Sequence, residues 1–489
     1  MISTLTHPFL HIRSRRFHIV LLLMFAYFCM CQMTAHIGLS LLCMTGSDHK
    51  SDQIVEHILG KNDSNSSEGK MIGYRETFNW SVQTQGYIVS SAFVGGFTMS
   101  YPAGLAVDKY SARHILSFAI CLLTISSIFF PTLSTFFGAW GSIWSRFVMG
   151  IGEAALIPSL NSIVTKWIPT HEKSLAAAIL TSGNQVSGMI GNVLVAEICS
   201  STLGWRYIFY SGASFGILWL IIWHSTVRNS PKNTKWIDEK ELGYLDGHLL
   251  PTNKEKLEEK ATPWKDILSS KVFWCLMYSS IVGNMMIGLI FVYIPVYFND
   301  VLRMDVKTNG FFSSIPHASN LVSKIIWGYG MDKLRQEKYL SPTSTVKISQ
   351  FVSMTGISLS CYYLRYVDSN SPSKALILLS MVSGFFGLSI SGFYTSLLSV
   401  APSHIGVITS LGTVIGFIGR AFTPQLISIY RKEGSAEEWG NILLVYTIFC
   451  MVAAISFSIF ASGDVQEWDR SRRRNLDTTN LSELVHTNS

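Results

Sequence analysis

The chain has 489 residues and a formal net charge of +7; 48% of its residues are hydrophobic and only 14% are charged. Soluble proteins average about 25% charged residues, so this composition excludes an ordinary soluble protein. The excess of positive charge comes without a basic stripe or a base-reading motif, so we expect no nucleic-acid partner.

Hydrophobic blocks of about twenty residues, the length that crosses the hydrocarbon core of a bilayer, recur along the whole chain. The first block follows Arg13, Arg15 and Arg16 and is too long for a cleaved signal peptide. Each block must be helical, because an isolated strand cannot form backbone hydrogen bonds with lipid. We therefore predict an all-α membrane protein with twelve spans, at residues 17–44, 85–107, 114–133, 138–163, 175–198, 205–227, 271–298, 308–331, 346–366, 373–399, 404–429 and 440–462.

The longest polar segment, residues 228–270, divides these spans into six and six. The predicted domains are an N-terminus at 1–16, a six-helix bundle at 17–227, a linker at 228–270, a second bundle at 271–462 and a tail at 463–489. The linker mixes both signs of charge, as in the run from Glu255 to Lys260, and this pattern favours solvated cytosolic helices.

A repeat relates the two halves. Five residues at the second span recur 224 residues later at the eighth: Gly86, Ser90, Gly104, Asp108 and Lys109 become Gly310, Ser314, Gly328, Asp332 and Lys333. Many secondary transporters are duplicated six-span units that rock about a central substrate site.

The repeated Gly-x-x-x-Asp-Lys has a physical use in such a protein. Gly104 and Gly328 would let a neighbouring helix approach closely. Asp108 and Asp332, each followed by Lys109 or Lys333, either latch one conformation by pairing with the next helix end or simply cap a loop. We predict that this set takes part in conformational gating.

The distribution of positive charge predicts the orientation. Of the 38 lysines and arginines, 24 fall on the side that carries both termini, so the positive-inside rule places the termini in the cytosol. The loop at 45–84 is then lumenal or extracellular, and it carries glycosylation acceptor patterns at Asn62 and Asn65. The eight cysteines lie in spans or at their ends without metal-ligand spacing, so we expect them to be packing residues and expect no metal.

Several longer strings resemble one transporter family. They are Trp80 with Gln85-Gly86, Tyr101-Pro102-Ala103-Gly104, Gly150-Ile151-Gly152-Glu153 after Arg146, Trp167-Ile168-Pro169 with Glu172-Lys173-Ser174, Gly204-Trp205 with Ile208-Phe209-Tyr210, Asn309-Gly310-Phe311, Ala401-Pro402-Ser403 and Gly463-Asp464-Val465-Gln466-Glu467-Trp468. Together with the twelve spans and the repeat, they are similar to the major facilitator superfamily, and within it to the organic-anion and phosphate symporters. That family includes sialin, the vesicular glutamate transporters and the type I sodium/phosphate cotransporters.

The resemblance implies the major facilitator fold and carriage of a small anion by alternating access, coupled to H⁺ or Na⁺ and without another cofactor. The chain departs from the family at several site positions. The first span has Thr34 and His36 where the family has an Arg two residues before an Asn, and Asn161 replaces a span-four histidine. In span seven, Asn284 is followed by Met285-Met286-Ile287-Gly288 instead of an aromatic and hydroxyl cluster.

Ionisable residues within spans are the strongest candidates for a site, since each costs about 2.5–3.5 kcal/mol at the membrane centre. Arg146 and Glu153 are two turns apart and share a helix face, with Gly150 and Gly152 between them to admit a neighbour or a solute. Arg146 is interpreted as a cation that attracts the substrate, or alternatively as part of a structural ion pair. Glu153 is interpreted as a proton-coupling group.

Two cations in the second half are additions to the family pattern. We predict that Arg420, with Lys324, replaces the missing span-one Arg as the substrate's counter-charge. Lys324 has a simpler alternative, which is to extend its ammonium to the cytosolic surface. His36 would suit the sensing of an acidic lumen, although a packed, hydrogen-bonded histidine is the commoner case.

Three functions follow for testing. The first is a proton-coupled carrier of an organic anion, resembling sialin; the second is a sodium-dependent carrier of phosphate or urate type; the third is a transport-inactive sensor or scaffold. We expect no enzymatic activity, because no nucleophile and base pair appears. We expect a monomer whose partners are a small anionic solute and the bilayer, in an endolysosomal, vesicular or plasma membrane.

Overall fold

The computed structural model describes residues 11, 14–45, 78–169, 172–227, 241, 243–245, 263–367 and 371–469. Within these residues it contains twelve long helices, whose ends lie within five residues of the predicted spans. They are α1 (Arg15–Thr45), α2 (Val82–Lys109), α3 (112–137), α4 (139–167), α5 (Lys173–Ser200), α6 (Arg206–Thr226), α7 (Lys271–Asp300), α8 (Val306–Gln336), α9 (Pro342–Leu364), α10 (Pro372–Ser399), α11 (Ile405–Tyr430) and α12 (Ala436–Phe460). The glycosylation candidates Asn62 and Asn65 lie outside the described residues.

Seven helical segments of the described chain are long and apolar enough, by length and composition, to cross a membrane. One of them, Ala112–Trp167, comprises both α3 and α4, because Gly138 reverses the chain with a left-handed φ of 58°. Ser134 and Ser142 hydrogen-bond across this turn at 2.8 Å. Glycine adopts that conformation without the steric cost of a Cβ, which explains why the hairpin turns there.

The helices form two halves, α1–α6 and α7–α12. We call the end where α1 begins and α12 ends the linker end, and the opposite end the far end. The halves meet along two seams, α2 against α11 and α5 against α8. In the first seam Ser90 donates to the Ala421 carbonyl at 3.2 Å, and in the second Asn192 donates to the Ser313 carbonyl at 3.2 Å. These contacts lie toward the far end, which is therefore closed.

Three helices are irregular near the middle of the bundle. α1 is interrupted at Ala35 and His36, and α7 and α10 contain π-helical turns at Leu289–Tyr293 and Ile390–Tyr394. Just past its interruption, α1 packs so tightly on α7 that a Cβ at Gly38 would lie 1.9 Å from the Val292 carbonyl oxygen. Only glycine permits this approach, and it seals the far end between the halves.

The glycines of α4 confirm one packing prediction, whereas those of the repeat contradict another. A Cβ at Gly150 would lie 1.8 Å from the Ala92 carbonyl oxygen of α2, so this glycine admits a neighbouring helix as expected. A Cβ at Gly104 would meet nothing within 4 Å, and one at Gly328 only the Ser391 hydroxyl at 3.9 Å. The predicted close approach at Gly104 and Gly328 is therefore wrong for this conformation, in which the far end is the closed one.

Two cysteines are more than packing residues, which corrects the prediction from sequence. Cys43 at the end of α1 and Cys199 at the end of α5 form a disulfide, with their Cα atoms 6.2 Å apart. Both belong to the first half and lie at the far end. The bond therefore fixes the part of α1 beyond its interruption to α5 without joining the two halves.

The linker is also more than a solvated segment where it is described. Glu241 is buried, and its carboxylate accepts hydrogen bonds from Arg16 Nε at 3.1 Å and from the Arg15 backbone amide at 3.1 Å. Arg16 also donates to Glu172 at 2.6 Å. The linker thus docks on the N-terminus of α1, where a carboxylate is favoured by the free amides and the helix dipole.

Candidate functional site

An ion pair joins the two halves near the middle of the bundle. Arg420 Nη1 of α11 donates to Glu153 Oε1 of α4 at 2.7 Å. The Glu153 side chain is 6% exposed and that of Arg420 is 21% exposed, so solvent reaches the cation while the carboxylate is buried. Sequence reasoning named both residues separately but did not predict that they pair across the halves.

The Arg420 guanidinium is held by a second residue from the predicted set. Its Nε donates to Asn284 Oδ1 of α7 at 2.9 Å, and Asn284 Nδ2 in turn donates to the Ser280 carbonyl at 2.9 Å. The amide lies against Gly416, where a Cβ would come within 2.5 Å of Asn284 Nδ2. Asn284 therefore orients Arg420 toward the first half, using space that a side chain at position 416 would fill.

Arg146 lies deeper in the first half. It is 1% exposed, and its Nη2 donates to the Thr34 carbonyl at 2.9 Å, at the point where α1 is interrupted. A second nitrogen contacts the Met149 sulfur at 3.6 Å, and Nε has no partner. Its hydrogen bond goes to a backbone carbonyl, and Glu153 lies within electrostatic range of the guanidinium rather than at hydrogen-bond distance. The role of Arg146 stays a prediction.

His36 is buried beside the same interruption. Its Nδ1 lies 3.0 Å from Asn192 Oδ1 and its Nε2 lies 3.2 Å from the Ser187 hydroxyl, both on α5. The packed, hydrogen-bonded interpretation of His36 is thus confirmed. Its partners are neutral, so either charge state of the imidazole finds a hydrogen bond there.

Lys324 corrects a further expectation. Rather than extending to the surface, the side chain is 7% exposed, and its Nζ donates to the Thr181 hydroxyl of α5 at 2.6 Å. One turn away, Gln185 Nε2 donates to Asn320 Oδ1 at 2.9 Å. These two contacts continue the α5–α8 seam toward the linker end.

The other predicted residues lie apart from this cluster. Asn161 is exposed on α4, eight residues after Glu153. Lys109, Asp332 and Lys333 are exposed at the linker end, where Lys333 lies 3.9 Å from Glu337. Asp108 belongs to α2, and its side chain lies outside the described residues. The gating role of the repeated Asp-Lys pairs and the substrate role of Asn161 therefore stay predictions.

Some buried polar residues between the halves were not singled out by sequence analysis. Asn192, Asn320 and His317 are at most 5% exposed on α5 and α8, and Tyr27 of α1 lies within electrostatic range of both Glu153 and Arg420. The sequence pattern that could have identified them is an isolated polar residue within an apolar span. This pattern does not identify functional residues by itself, because the spans contain many serines and asparagines that only pack.

Comparisons with known proteins agree with this architecture. The family model of the Major Facilitator Superfamily matches residues 23–424. An uncharacterised transporter of Caenorhabditis elegans, slc-17.3, is 34% identical over 487 residues, which cover 95% of this chain and 90% of the relative. Human sialin is 25% identical, with 93% and 91% coverage, and human vesicular glutamate transporter 2 is 26% identical, with 82% and 68% coverage.

Solved structures with the same fold are much more distant in sequence. A D-xylose–proton symporter superposes with a TM-score of 0.68 at 16% identity and covers 93% of this chain and 100% of its own. A bacterial homologue of the human lysosomal transporter Spinster, in an inward-facing and unoccupied conformation, gives a TM-score of 0.63 at 15% identity, covering 91% of this chain and 97% of its own. At these identities the likeness establishes the twelve-helix fold alone.

Proposed function

Because this chain belongs to the major facilitator superfamily, and within it to the family of sialin and the vesicular glutamate transporters, we propose that it carries a small organic anion across a membrane together with protons. The ion pair between Glu153 and Arg420 carries this proposal. It brings the one partly exposed cation of this cluster against a carboxylate of the opposite half.

The proposed coupling follows from competition for Arg420. An anionic substrate that binds the guanidinium takes the place of the Glu153 carboxylate. Glu153 is then a buried carboxylate without its cation, and such a charge is costly in a medium of low dielectric constant. A proton removes that cost, so substrate and proton bind together. Asn284 acts in this scheme by holding Arg420 in position.

The cations Arg146 and Lys324 complete the proposed attraction for an anion. Both are buried, and their hydrogen-bond partners are neutral groups. Buried charge inside a bilayer is expensive unless it faces protein or water, and it commonly marks a solute pathway. Together with Arg420, these two cations outnumber the Glu153 carboxylate, which favours a negatively charged solute.

The orientation we propose places the linker end in the cytosol. The positive-inside count supports it. The Cys43–Cys199 disulfide lies at the far end, and disulfides persist in the lumen or outside the cell rather than in the cytosol. Treatment with peptide N-glycosidase tests this orientation and the glycosylation prediction together. We expect it to increase the electrophoretic mobility of the parent protein but not of the double variant Asn62→Gln with Asn65→Gln.

Transport is tested by reconstitution into proteoliposomes. Uptake of a panel of labelled monocarboxylates, dicarboxylates and phosphate is measured under an imposed proton gradient and, separately, a sodium gradient. We expect at least one organic anion to accumulate with the proton gradient, and we expect Arg420→Ala to reduce that uptake at least tenfold. Lys374→Ala, which removes an exposed lysine of α10, is the matched control and retains uptake.

The remaining outcomes separate the alternatives. Accumulation driven only by sodium would replace the proton-coupled proposal with the phosphate or urate type. A folded protein that neither moves nor binds any anion would be a sensor or scaffold. Undiminished uptake by Arg420→Ala, at normal abundance, would remove Arg420 from the substrate site.

A further inference from the structure

A histidine of the second half is buried in the α5–α8 seam and takes no part in the proposed anion site. His317 of α8 is 1% exposed. Its ring lies over Gly188 of α5, where a Cβ would come within 2.4 Å of the imidazole, and against the Phe291 ring of α7 at a centroid distance of 4.4 Å. The imidazole is thus buried between a glycine of the first half and a phenyl ring of the second while the far end is closed.

Among the residues that the structure describes, the groups around His317 offer no negative charge to an imidazolium. His36 of α1 is the described titratable group of a neighbouring helix that lies within electrostatic range, and a second protonated imidazole would repel the first. On α8 itself the charged residues nearest to His317 in sequence are the cations Lys307 and Lys324. The residues of α10 that pack on α8, such as Ser383 and Gly384, are neutral.

The carboxylates of the helices that surround His317 are engaged elsewhere. Glu197 of α5 pairs with Lys307 at 3.1 Å in an exposed position near the far end. Asp300 of α7 is bonded to Arg431 and to the Trp439 indole. Among the described residues, no carboxylate therefore faces the His317 ring.

We propose that His317, with His36 beside it, is a proton-operated gate that opens the far end of the transporter. A neutral imidazole fits the closed seam, but an imidazolium there would be a buried cation without a counter-charge. Separation of α5 from α8 removes Gly188 from the ring and lets water solvate the charge. Protonation thus shifts the population toward the state that is open at the far end.

The size of this effect follows from the ordinary titration of histidine. If the closed state holds His317 neutral and the open state leaves it in water, where imidazole titrates near pH 6.5, the open-to-closed ratio rises by about tenfold between pH 7.5 and pH 5.5. In the orientation proposed above, an acidic lumen would open the carrier toward itself. This goes beyond the proposed function, because it sets which way the empty carrier faces and does not depend on the identity of the substrate.

The test measures conformation without substrate. Spin labels are placed at Leu203→Cys, after α5, and Phe311→Cys, early in α8; the two side chains are 53% and 59% exposed at the far end, on opposite halves. The free cysteines are replaced and the Cys43–Cys199 disulfide is kept. The distance between the labels is measured by pulsed electron paramagnetic resonance in lipid nanodiscs frozen at pH 7.5 and pH 5.5. All samples carry Glu153→Gln, so that this carboxylate does not contribute to the pH response.

We expect the ratio of long to short distances to rise about tenfold at pH 5.5. His317→Gln, which keeps a polar side chain of similar size, should reduce the rise to less than twofold, and His317→Arg should favour the long distance at both pH values. His224→Gln, at an exposed histidine of α6 near the linker end, is the matched control and should keep the full response.

Two results would overturn the gate. One is a distance distribution that does not change with pH in the protein with all its histidines. The other is a full response in His317→Gln. Neither result bears on the anion site, since transport by the proteoliposome assay can succeed or fail independently.

Discussion

The halves are joined near the middle of the bundle by two contacts of different chemistry. Between α4 and α11 the contact is an ion pair, Glu153 with Arg420. Between α5 and α8 it is built from neutral amides, as in Gln185 with Asn320, next to a lysine bonded to a hydroxyl. A buried charge that loses its partner must find another, whereas a neutral amide can exchange its partner for water. The first contact therefore suits the binding of an ionic solute, and the second suits a surface that separates and closes again.

The largest expected loss of stability comes from replacing one residue of the ion pair. Arg420→Met leaves the Glu153 carboxylate buried without its cation, and breaking a buried pair in this way costs about 3–5 kcal/mol. The double variant Arg420→Met with Glu153→Gln should recover most of that loss, because two neutral side chains leave no uncompensated charge. Denaturation in detergent measures both, with Lys374→Met as the exposed control.

This double variant also separates stability from function. It should remain folded but fail to accumulate anion, since both the proposed counter-charge and the proposed proton site are gone. If the double variant is as unstable as Arg420→Met alone, the loss of stability does not come from an uncompensated Glu153 carboxylate.

A smaller loss of stability is expected from breaking the disulfide, which holds α1 against α5 within the first half. Cys43→Ser should lower the free energy of unfolding by about 2–4 kcal/mol. Adding Cys199→Ser should change little more, because the bond is already absent. Cys121→Ser, at a cysteine outside the disulfide, serves as the control. Equal stability of Cys43→Ser and the parent under oxidising conditions would count against this bond.

The hydrogen bond between Gln185 and Asn320 in the α5–α8 seam should contribute less to the free energy of unfolding than the ion pair does. A double-mutant cycle with Gln185→Leu and Asn320→Leu is expected to give a coupling energy of about 1 kcal/mol, the usual net value of a neutral hydrogen bond. Each single variant should cost more than the pair together, because it leaves one buried amide unsatisfied. A coupling as large as that of Glu153 with Arg420 would remove the contrast between the two contacts.

The fold was predictable because a bilayer leaves few options. A span must be a helix of about twenty residues, so hydropathy located all twelve helices. The shared spacing of Gly104-Asp108-Lys109 and Gly328-Asp332-Lys333 then revealed the duplication. The disulfide could not be read in the same way, because cysteine pairing depends on which helix ends meet in space.

Sequence alone singled out the residues of the candidate site, but it did not predict which of them contact one another. Arg420, Glu153 and Asn284 stood out as polar residues in apolar spans. Arg420 and Glu153 are 267 positions apart, and their contact depends on how the halves dock. Lys324 was misplaced for a related reason: position along a helix indicates depth in the membrane, but not which neighbouring hydroxyl a flexible side chain will reach.

The smallest loss of stability is expected from breaking an ion pair at the place where the α5–α8 seam reaches solvent. Lys307 and Glu197 form a 3.1 Å ion pair between the halves, but their side chains are 58% and 59% exposed. Water and salt screen such a pair, so Lys307→Ala should change the free energy of unfolding by about 0–1 kcal/mol, and less at high salt. The comparison with Arg420→Met in the same denaturation assay isolates burial, because both variants break one ion pair between the halves. If Lys307→Ala proved as damaging as Arg420→Met, burial would not explain the difference between the two contacts, and the closed far end would itself be held by charge.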